Sequence, residues 1–115
     1  MADGVQRGCI IARIKPGSED EVAKLFEQSD ESDLPGLAKV RHRSLFVLDD
    51  IYVHYVEMDT EFGETVDEVR NHPLFQEISR KLDAYITPYN PETWKSPKDA
   101  QAREFYSWDA SDSEG

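Results

Sequence analysis

Apolar and polar positions divide the first third of the chain into a strand-like and a helix-like segment. Residues 5–15 form a mostly apolar run ended by Pro16-Gly17, which predicts a strand followed by a turn. Ser18, with Glu21 three residues later, matches the capping box of a helix start. The predicted helix carries one stripe made of Val22, Leu25, Phe26 and Ser29, and acidic and polar residues lead from it to a stop at residues 34–36, Leu-Pro-Gly.

The middle of the chain predicts a β-hairpin. Residues 37–48 and 51–58 are rich in β-branched and aromatic residues, and only Asp49 and Asp50 separate them. A two-residue loop is the commonest hairpin connection, although Asp-Asp is a weaker turn signal than Asn-Gly.

The second half of the chain predicts two helical pieces and a last strand. Helical periodicity covers residues 60–70 and resumes from 71 to 86, where His72-Pro73 suits a helix start. Residues 87–100 are predicted to be a loop, and residues 103–109 a short strand.

The resulting order, β-α-β-β-α-β with the second helix in two pieces, predicts an α+β fold of the ferredoxin-like βαββαβ type. This fold has a four-stranded antiparallel sheet with its helices on one face. The opposite face needs a cover, which two chains packed sheet against sheet would provide. We therefore expect a homodimer, a dimeric α+β barrel.

Length and composition fit one domain. Of the 115 residues, we assign 1–108 to the domain and 109–115 to an acidic tail that is expected to be disordered. The net charge of −11 argues against nucleic acid and anionic membranes as partners. Neither a membrane-spanning run nor a signal peptide is evident, and the single Cys9 is expected to be a buried, inert thiol. A cytoplasmic location follows as the default expectation.

One face of the predicted hairpin mixes charged and apolar side chains. With the turn at Asp49-Asp50, Leu48 faces Ile51, and each strand alternates between the two faces. The mixed face carries Arg41, Arg43, Leu45 and Val47 with Tyr52, His54, Val56 and Met58. The other face carries Val40, His42, Ser44, Phe46 and Leu48 with Ile51, Val53, Tyr55 and Glu57.

The mixed face is typical of a mostly apolar pocket with a few polar groups for an oxygen-rich substrate. It also matches the wet side of a half-exposed sheet. A turn with an odd number of residues would instead bring His54 beside His42.

Asp30 is a further candidate because it ends the first predicted helix. The helix dipole there disfavours a carboxylate, so Asp30 could serve as a general acid or base, or simply begin an Asx turn. Trp94, Tyr106 and Trp108 could line an aromatic pocket or only pack. The three histidines lack paired spacing, so no metal site is predicted, and no phosphate-binding glycine loop is present.

Long stretches of the chain resemble one family. The segments "FEQSDESDLPGLAKVRHRSLFVLDDIYVHYVE", "NHPLFQEISRKLDAYITPY" and "AREFYSW" resemble the small tetracenomycin-type cyclases of type II aromatic polyketide pathways. The resemblance implies a dimeric ferredoxin-like fold and a cofactor-free, late intramolecular aldol cyclisation and dehydration of a poly-β-ketone. It leaves open whether the substrate arrives free or on an acyl carrier protein.

The resemblance also implies a site. Its family positions fall on Ser29, Asp30, Arg43 and His54, with Ser29 standing where the family pattern has histidine. Asp30, Arg43 and His54 are therefore the expected catalytic residues, with either Asp30 or His54 as the base. Expected substrate-binding residues are Ser29, Arg41, Tyr52 and Trp108. Two alternatives remain: a cofactor-independent anthrone-type monooxygenase on the same fold, and a non-catalytic partner that shapes the chain for a synthase.

Overall fold

The computed structural model describes residues 5–93, 97–108 and 110. The prediction for Trp94 and most of the predicted tail lie outside these residues. The strands are β1 (Gln6–Ile14), β2 (Val40–Leu48), β3 (Ile51–Met58) and β4 (Ile86–Pro88). The helices are α1 (Glu19–Asp30), α2 (Leu34–Leu37), α3 (Phe62–Val69) and α4 (Pro73–Leu82), and a 3₁₀ turn covers Pro97–Ala100.

The predicted ferredoxin-like architecture is confirmed. The four strands form one antiparallel sheet in the order β2-β3-β1-β4. Helices α1, α3 and α4 lie on one face, because their side chains pack against the same alternate residues of β1 and β3. No helix within the described ranges is long and apolar enough to span a membrane.

The fourth strand is not the predicted one. It is Ile86–Pro88, which pairs with the end of β1, and residues 102–108 form no regular strand. Only Gln101 bridges to Ile10, and the Ala102 N–H donates to the Cys9 carbonyl. The sequence does not reveal β4 because the strand is only three residues long and ends in proline, a residue typical of loops. Proline is tolerated at this place because an edge strand can lack an N–H donor on its outer side.

The hairpin register is confirmed over most of its length. Leu48 faces Ile51, Leu45 faces His54 and Arg43 faces Val56. Asp49 adopts a φ of 56°, a left-handed value that Asp tolerates better than most residues. The tight turn therefore sets which residues share the helix-covered face.

The face assignment is correct as far as His42 and wrong for Arg41 and Val40. A β-bulge shifts the register so that Val40 faces Met58 and His42 faces Glu57, which leaves Arg41 as the extra residue. Val40 accordingly packs against the core rather than on the outer face. Alternation from the turn cannot reveal this shift, because a bulge changes the parity of every residue beyond it.

Two helix starts show how local signals act. The α1 helix begins at Glu19 as predicted, but the Ser18 hydroxyl donates to the Lys15 carbonyl and makes no cap bond to the helix. At α4, His72 Nδ1 accepts from the Leu74 N–H at 3.1 Å, as expected of a residue that starts a helix. The predicted end of α1 is also confirmed, because its last residue is Asp30.

The core consists of two clusters between the helices and the sheet. One joins Ile10, Val56 and Met58 to Val66, and the other joins Ala12, Ile14 and Tyr52 to Val22 and Phe26. On the opposite, outer face, Phe46 is 57% exposed and Leu48 is 74% exposed. The sheet is therefore well covered on one side and still carries apolar surface on the other.

Candidate active site

A cavity of about 580 Å³ lies between the helices and the inner face of the sheet. Its wall is mostly apolar, and polar groups enter it from the strands and from the end of α1. Of the residues predicted for the site, Ser29, Arg43, Tyr52 and His54 line this cavity. This combination of apolar wall and few polar groups is typical of a small-molecule site.

Arg43 links α1 to the sheet through Asp30. Its Nη2 donates to Asp30 Oδ1 at 2.7 Å, and its Nε lies 3.1 Å from each carboxylate oxygen. The Arg43 side chain is only 15% exposed, whereas that of Asp30 is 41% exposed. Asp30 does not itself line the cavity; it follows Ser29, which does, and it holds an arginine that lines the cavity.

Arg43 also contacts His54, and this contact determines the tautomer of the imidazole. Arg43 Nη1 lies 2.9 Å from His54 Nε2. Since a guanidinium can only donate, Nε2 must accept and the ring proton must sit on Nδ1. Burial, assisted by the positive charge of Arg43, lowers the pKa of His54 from 6.5 to about 3.

The second ring nitrogen of His54, Nδ1, makes no contact with Arg43 and keeps some accessible surface. Within the part of the chain that the structure describes, Arg43 is the one hydrogen-bond partner found for the imidazole. No buried side-chain nitrogen there lacks a hydrogen-bond partner, so Nδ1 has accessible surface. Because His54 lines the cavity, it can present an N–H donor there.

Tyr52 and Ser29 also contribute to the polar part of the wall. Tyr52 is 5% exposed, and its ring centroid lies 6.4 Å from that of His54. Burial raises the pKa of Tyr52, which Arg43 opposes only in part, so its hydroxyl stays neutral. Ser29 is half-buried in the last turn of α1, where its carbonyl accepts from the Ser32 hydroxyl at 2.6 Å.

The structure does not bring Arg41 or Trp108 to this cavity. Arg41 is the bulged residue, is exposed, and pairs with Asp59 instead. Trp108 is 70% exposed, and neither residue lines the cavity. Their binding roles stay predictions that the geometry of the single chain does not support, and neither is part of the site proposed below.

Sequence reasoning missed cavity residues on α4. Gln76, Ser79 and Arg80 line the cavity beside the apolar stripe of that helix. The three- and four-residue spacing from Gln76 places these residues along one edge of the stripe, which is a signal that the sequence contains. Among the described residues, no group of three or more His, Cys, Asp or Glu side chains could hold a metal ion.

The lowered pKa of His54 predicts a specific loss of stability in acid. As the pH falls below 6.5, the unfolded chain protonates this histidine while the folded chain does not, so folding free energy is lost progressively towards pH 3. Between about pH 7 and pH 5, the free energy of unfolding of the parent protein should fall by up to about 2 kcal/mol more than that of His54→Gln. Urea unfolding at both pH values measures this difference. An equal change in the free energy of unfolding for the two proteins between these pH values would contradict it.

Comparisons with known proteins identify the family of this chain and agree with its fold. A family model described as polyketide synthesis cyclase matches residues 6–109. The polyketide synthase CurG of Streptomyces cyaneus is 44% identical over 100 residues, which cover 87% of this chain and 94% of that protein. The tetracenomycin F2 cyclase of Streptomyces glaucescens is 39% identical over 107 residues, covering 93% and 97% of the two chains.

A solved structure of the same tetracenomycin F2 cyclase, described as a type-II polyketide cyclase, superimposes with a TM-score of 0.83 at 38% identity. The match covers 91% of this chain and 98% of that one. The matches in sequence and in structure extend over nearly the whole domain, including the strands and the helix that carry the site. The chain therefore belongs to the family of polyketide synthesis cyclases.

Proposed function

We propose that this protein catalyses a late intramolecular aldol cyclisation and dehydration of an aromatic poly-β-ketone in type II polyketide synthesis, without a cofactor. The observation that carries the proposal is the contact chain Asp30–Arg43–His54 at a cavity whose wall is otherwise mostly apolar. A flat, oxygen-rich polyketide needs both an apolar enclosure and donors for its carbonyl oxygens.

Asp30 is the proposed base. A methylene between two carbonyls is already acidic, so a carboxylate is a sufficient proton acceptor and no metal or organic cofactor is needed for this step. The Nε2 lone pair of His54 is occupied by Arg43, and a pKa of about 3 makes the imidazole a poor base. This geometry supports Asp30 in the role that sequence reasoning left open between the two residues.

Arg43 and His54 are the proposed oxyanion donors. Within the described chain, three of the five N–H groups of Arg43 are directed to Asp30 and His54, which leaves one on each Nη for a substrate oxygen. A permanent positive charge in a largely apolar cavity stabilises an enolate, and then the alkoxide, more strongly than water does. The neutral His54 can donate a further hydrogen bond through Nδ1, as neutral imidazoles do to polarised carbonyls.

The proton balance closes with these groups. The Asp30 carboxylate removes a methylene proton, the enolate carbon attacks a ketone carbon, and the new C–C bond leaves an alkoxide. Protonated Asp30 returns its proton to that alkoxide. The carboxylate then removes the remaining proton of the former methylene and delivers it to the departing hydroxyl, so that water leaves. Holding the two reacting carbons together could contribute as much as about 7–11 kcal/mol.

Oxygen uptake and product mass separate this function from its rivals. Purified protein is incubated with a carrier-free poly-β-ketone, while an oxygen electrode and mass spectrometry follow the reaction. The proposed cyclase yields a ring-closed product lighter by one water and consumes no oxygen. Stoichiometric oxygen uptake with an anthrone-like substrate would establish a monooxygenase instead, and no acceleration with the isolated substrate would favour the chain-shaping partner.

The partners proposed are a second copy of the chain and the aromatic polyketide, free or bound to an acyl carrier protein. Exposed Phe46 and Leu48 on the outer sheet face support the homodimer, because such apolar side chains are usually covered in an assembly.

Phe46→Glu is expected to lower the mass measured by sedimentation from that of two chains towards that of one. His42→Glu, on the same face of β2, is the control, because it adds the same charge at a residue that is already polar. A parent protein that sediments as one chain would contradict the dimer. The cytoplasmic location remains a prediction.

A further inference from the structure

The ring of Phe26 contacts both cavity donors. The Arg43 Cζ atom lies 5.0 Å from the Phe26 ring centroid, over the ring face. The centroid of the His54 imidazole lies 5.1 Å away at an interplanar angle of 62°, an edge-to-face arrangement. Phe26 is 9% exposed and lines the same cavity.

Helix α1 places this ring beside the carboxylate that holds Arg43. Phe26 and Asp30 are four residues apart, so they lie on the same side of α1. Asp30 contacts the guanidinium through its Nε and Nη2 hydrogens, while the Cζ atom of the same group lies over the face of the Phe26 ring. The guanidinium is thus held by the carboxylate along one edge and also contacts the aromatic ring.

An arginine side chain has many rotamers, and a cavity filled with substrate offers it competing oxygen atoms. A cation over an aromatic face is attracted by the ring quadrupole, and this attraction restricts movement of the guanidinium along its normal. The imidazole is likewise restricted, because edge-to-face packing against the ring disfavours rotation. Both restrictions preserve the short contact from Arg43 Nη1 to His54 Nε2.

We propose that Phe26 is a positioning residue for the cyclase site: its ring holds Arg43 against His54 Nε2 and thereby keeps the imidazole in the tautomer that presents Nδ1–H to the cavity. The inference rests on the proposed function for its catalytic meaning. The positioning itself concerns only these three side chains, so it can be tested without substrate.

The surroundings of the imidazole define what a test must detect. The titratable or charged groups nearest to it are Arg43 from β2, Tyr52 on its own strand and, through Arg43, Asp30 at the end of α1. Arg70, Arg80 and Asp83 line the same cavity from the side of α3 and α4. If the Phe26 ring is lost, water gains access to His54, and Arg43 is no longer held on Nε2. Both changes favour the charged imidazole, so both raise its pKa from about 3 towards the ordinary value.

The test is an NMR titration of the histidine Cε1–H signals in the parent protein and in Phe26→Leu. The chain has three histidines, and the signal that is absent from His54→Gln identifies His54. Between about pH 8 and 4.5, the parent His54 signal is expected to stay constant, whereas in Phe26→Leu it should titrate, which requires that the pKa rise by at least about two pH units. In the cyclisation assay, kcat of Phe26→Leu should fall about 10- to 100-fold with KM within about twofold.

Matched variants separate positioning from packing. Val22 lies on the same helix and in the same core cluster as Phe26, but it has no aromatic ring that could contact Arg43 or His54, so Val22→Ala is the packing control. It should lose stability yet keep the parent titration and kcat, and Phe26→Tyr, which retains the aromatic face, should restore both. If Phe26→Leu does not fold, Phe26→Met is titrated in its place.

Two outcomes would overturn the inference: a His54 signal that stays constant in the folded Leu or Met variant, or one that titrates equally in Val22→Ala. The titration needs no substrate. A protein without cyclase activity would therefore refute the proposed function while the positioning result would stand or fall separately.

Discussion

Replacing Arg43 with alanine should reduce kcat/KM for cyclisation by about 10²- to 10³-fold, the loss expected when a charged donor to a developing oxyanion is removed. Among the cavity residues that the structure describes, Arg43 is the one whose side chain contacts both Asp30 and His54. Its removal eliminates the positive charge for the enolate and also releases His54 Nε2. Steady-state kinetics with a carrier-free substrate measure the loss, and circular dichroism checks that the variant is folded.

Two other strand arginines provide the comparison. Arg13 pairs with Asp50 on the outer face, and its alanine variant should retain activity within about twofold because surface ion pairs contribute little. Arg41→Ala addresses the sequence-based expectation directly, since the structure pairs that residue with Asp59 outside the cavity. An Arg41 variant as impaired as the Arg43 variant would show that the substrate extends to the bulge, and an active Arg43→Ala would refute the assigned site.

The Asp30→Asn variant should lose about 10²- to 10⁴-fold in kcat, the range typical of a general base. Asparagine keeps the size of the side chain and one acceptor for Arg43, but it cannot take a proton from the substrate. A good control is Asp59→Asn, because Asp59 is also paired with an arginine of β2 and its side chain is 46% exposed, against 41% for Asp30. That control should keep nearly full activity.

A double-mutant cycle tells a base from an anchor. If Asp30 acted only by holding Arg43, Asp30→Asn would have no further effect in the Arg43→Ala background. As a base, it should still cost at least about 10-fold there. If Asp30→Asn does not change kcat in the Arg43→Ala background, Asp30 is a positioning residue and not the base. A large additional loss of kcat on adding His54→Gln to that background would then identify His54 as the base.

Much of the site geometry was accessible from the sequence because it depends on short-range rules. The two-residue turn at Asp49-Asp50 fixes that Arg43 faces Val56 and Leu45 faces His54, so both polar residues had to share one face of the sheet. Likewise, the end of the apolar stripe places Asp30 at the end of α1, although the predicted stop at residues 34–36 is part of the short helix α2. These predictions needed only periodicity and loop length.

The errors fall where contacts distant in sequence decide the outcome. The β4 strand is defined by pairing with β1 some seventy residues earlier, which outweighs the loop-like composition around Pro88. The bulge at Arg41 is accompanied by contacts across the hairpin, because it places Val40 on the core face opposite Met58 and Arg41 in an ion pair with Asp59. Trp108 looked like a strand aromatic, but the structure leaves it exposed.

The sequence by itself determined the first helix, the tight hairpin and the parity of that hairpin from His42 onwards, because each depends on neighbours within a few positions. The candidate catalytic residues came from the resemblance to a family. Only the tertiary structure decided how those residues act on one another. Burial and the donated bond from Arg43 make His54 a neutral donor, the ion pair joins Asp30 to an arginine that lines the cavity, and Phe26 becomes part of the site. These properties arise from desolvation and from contacts between α1, β2 and β3, which exist only after the chain has folded.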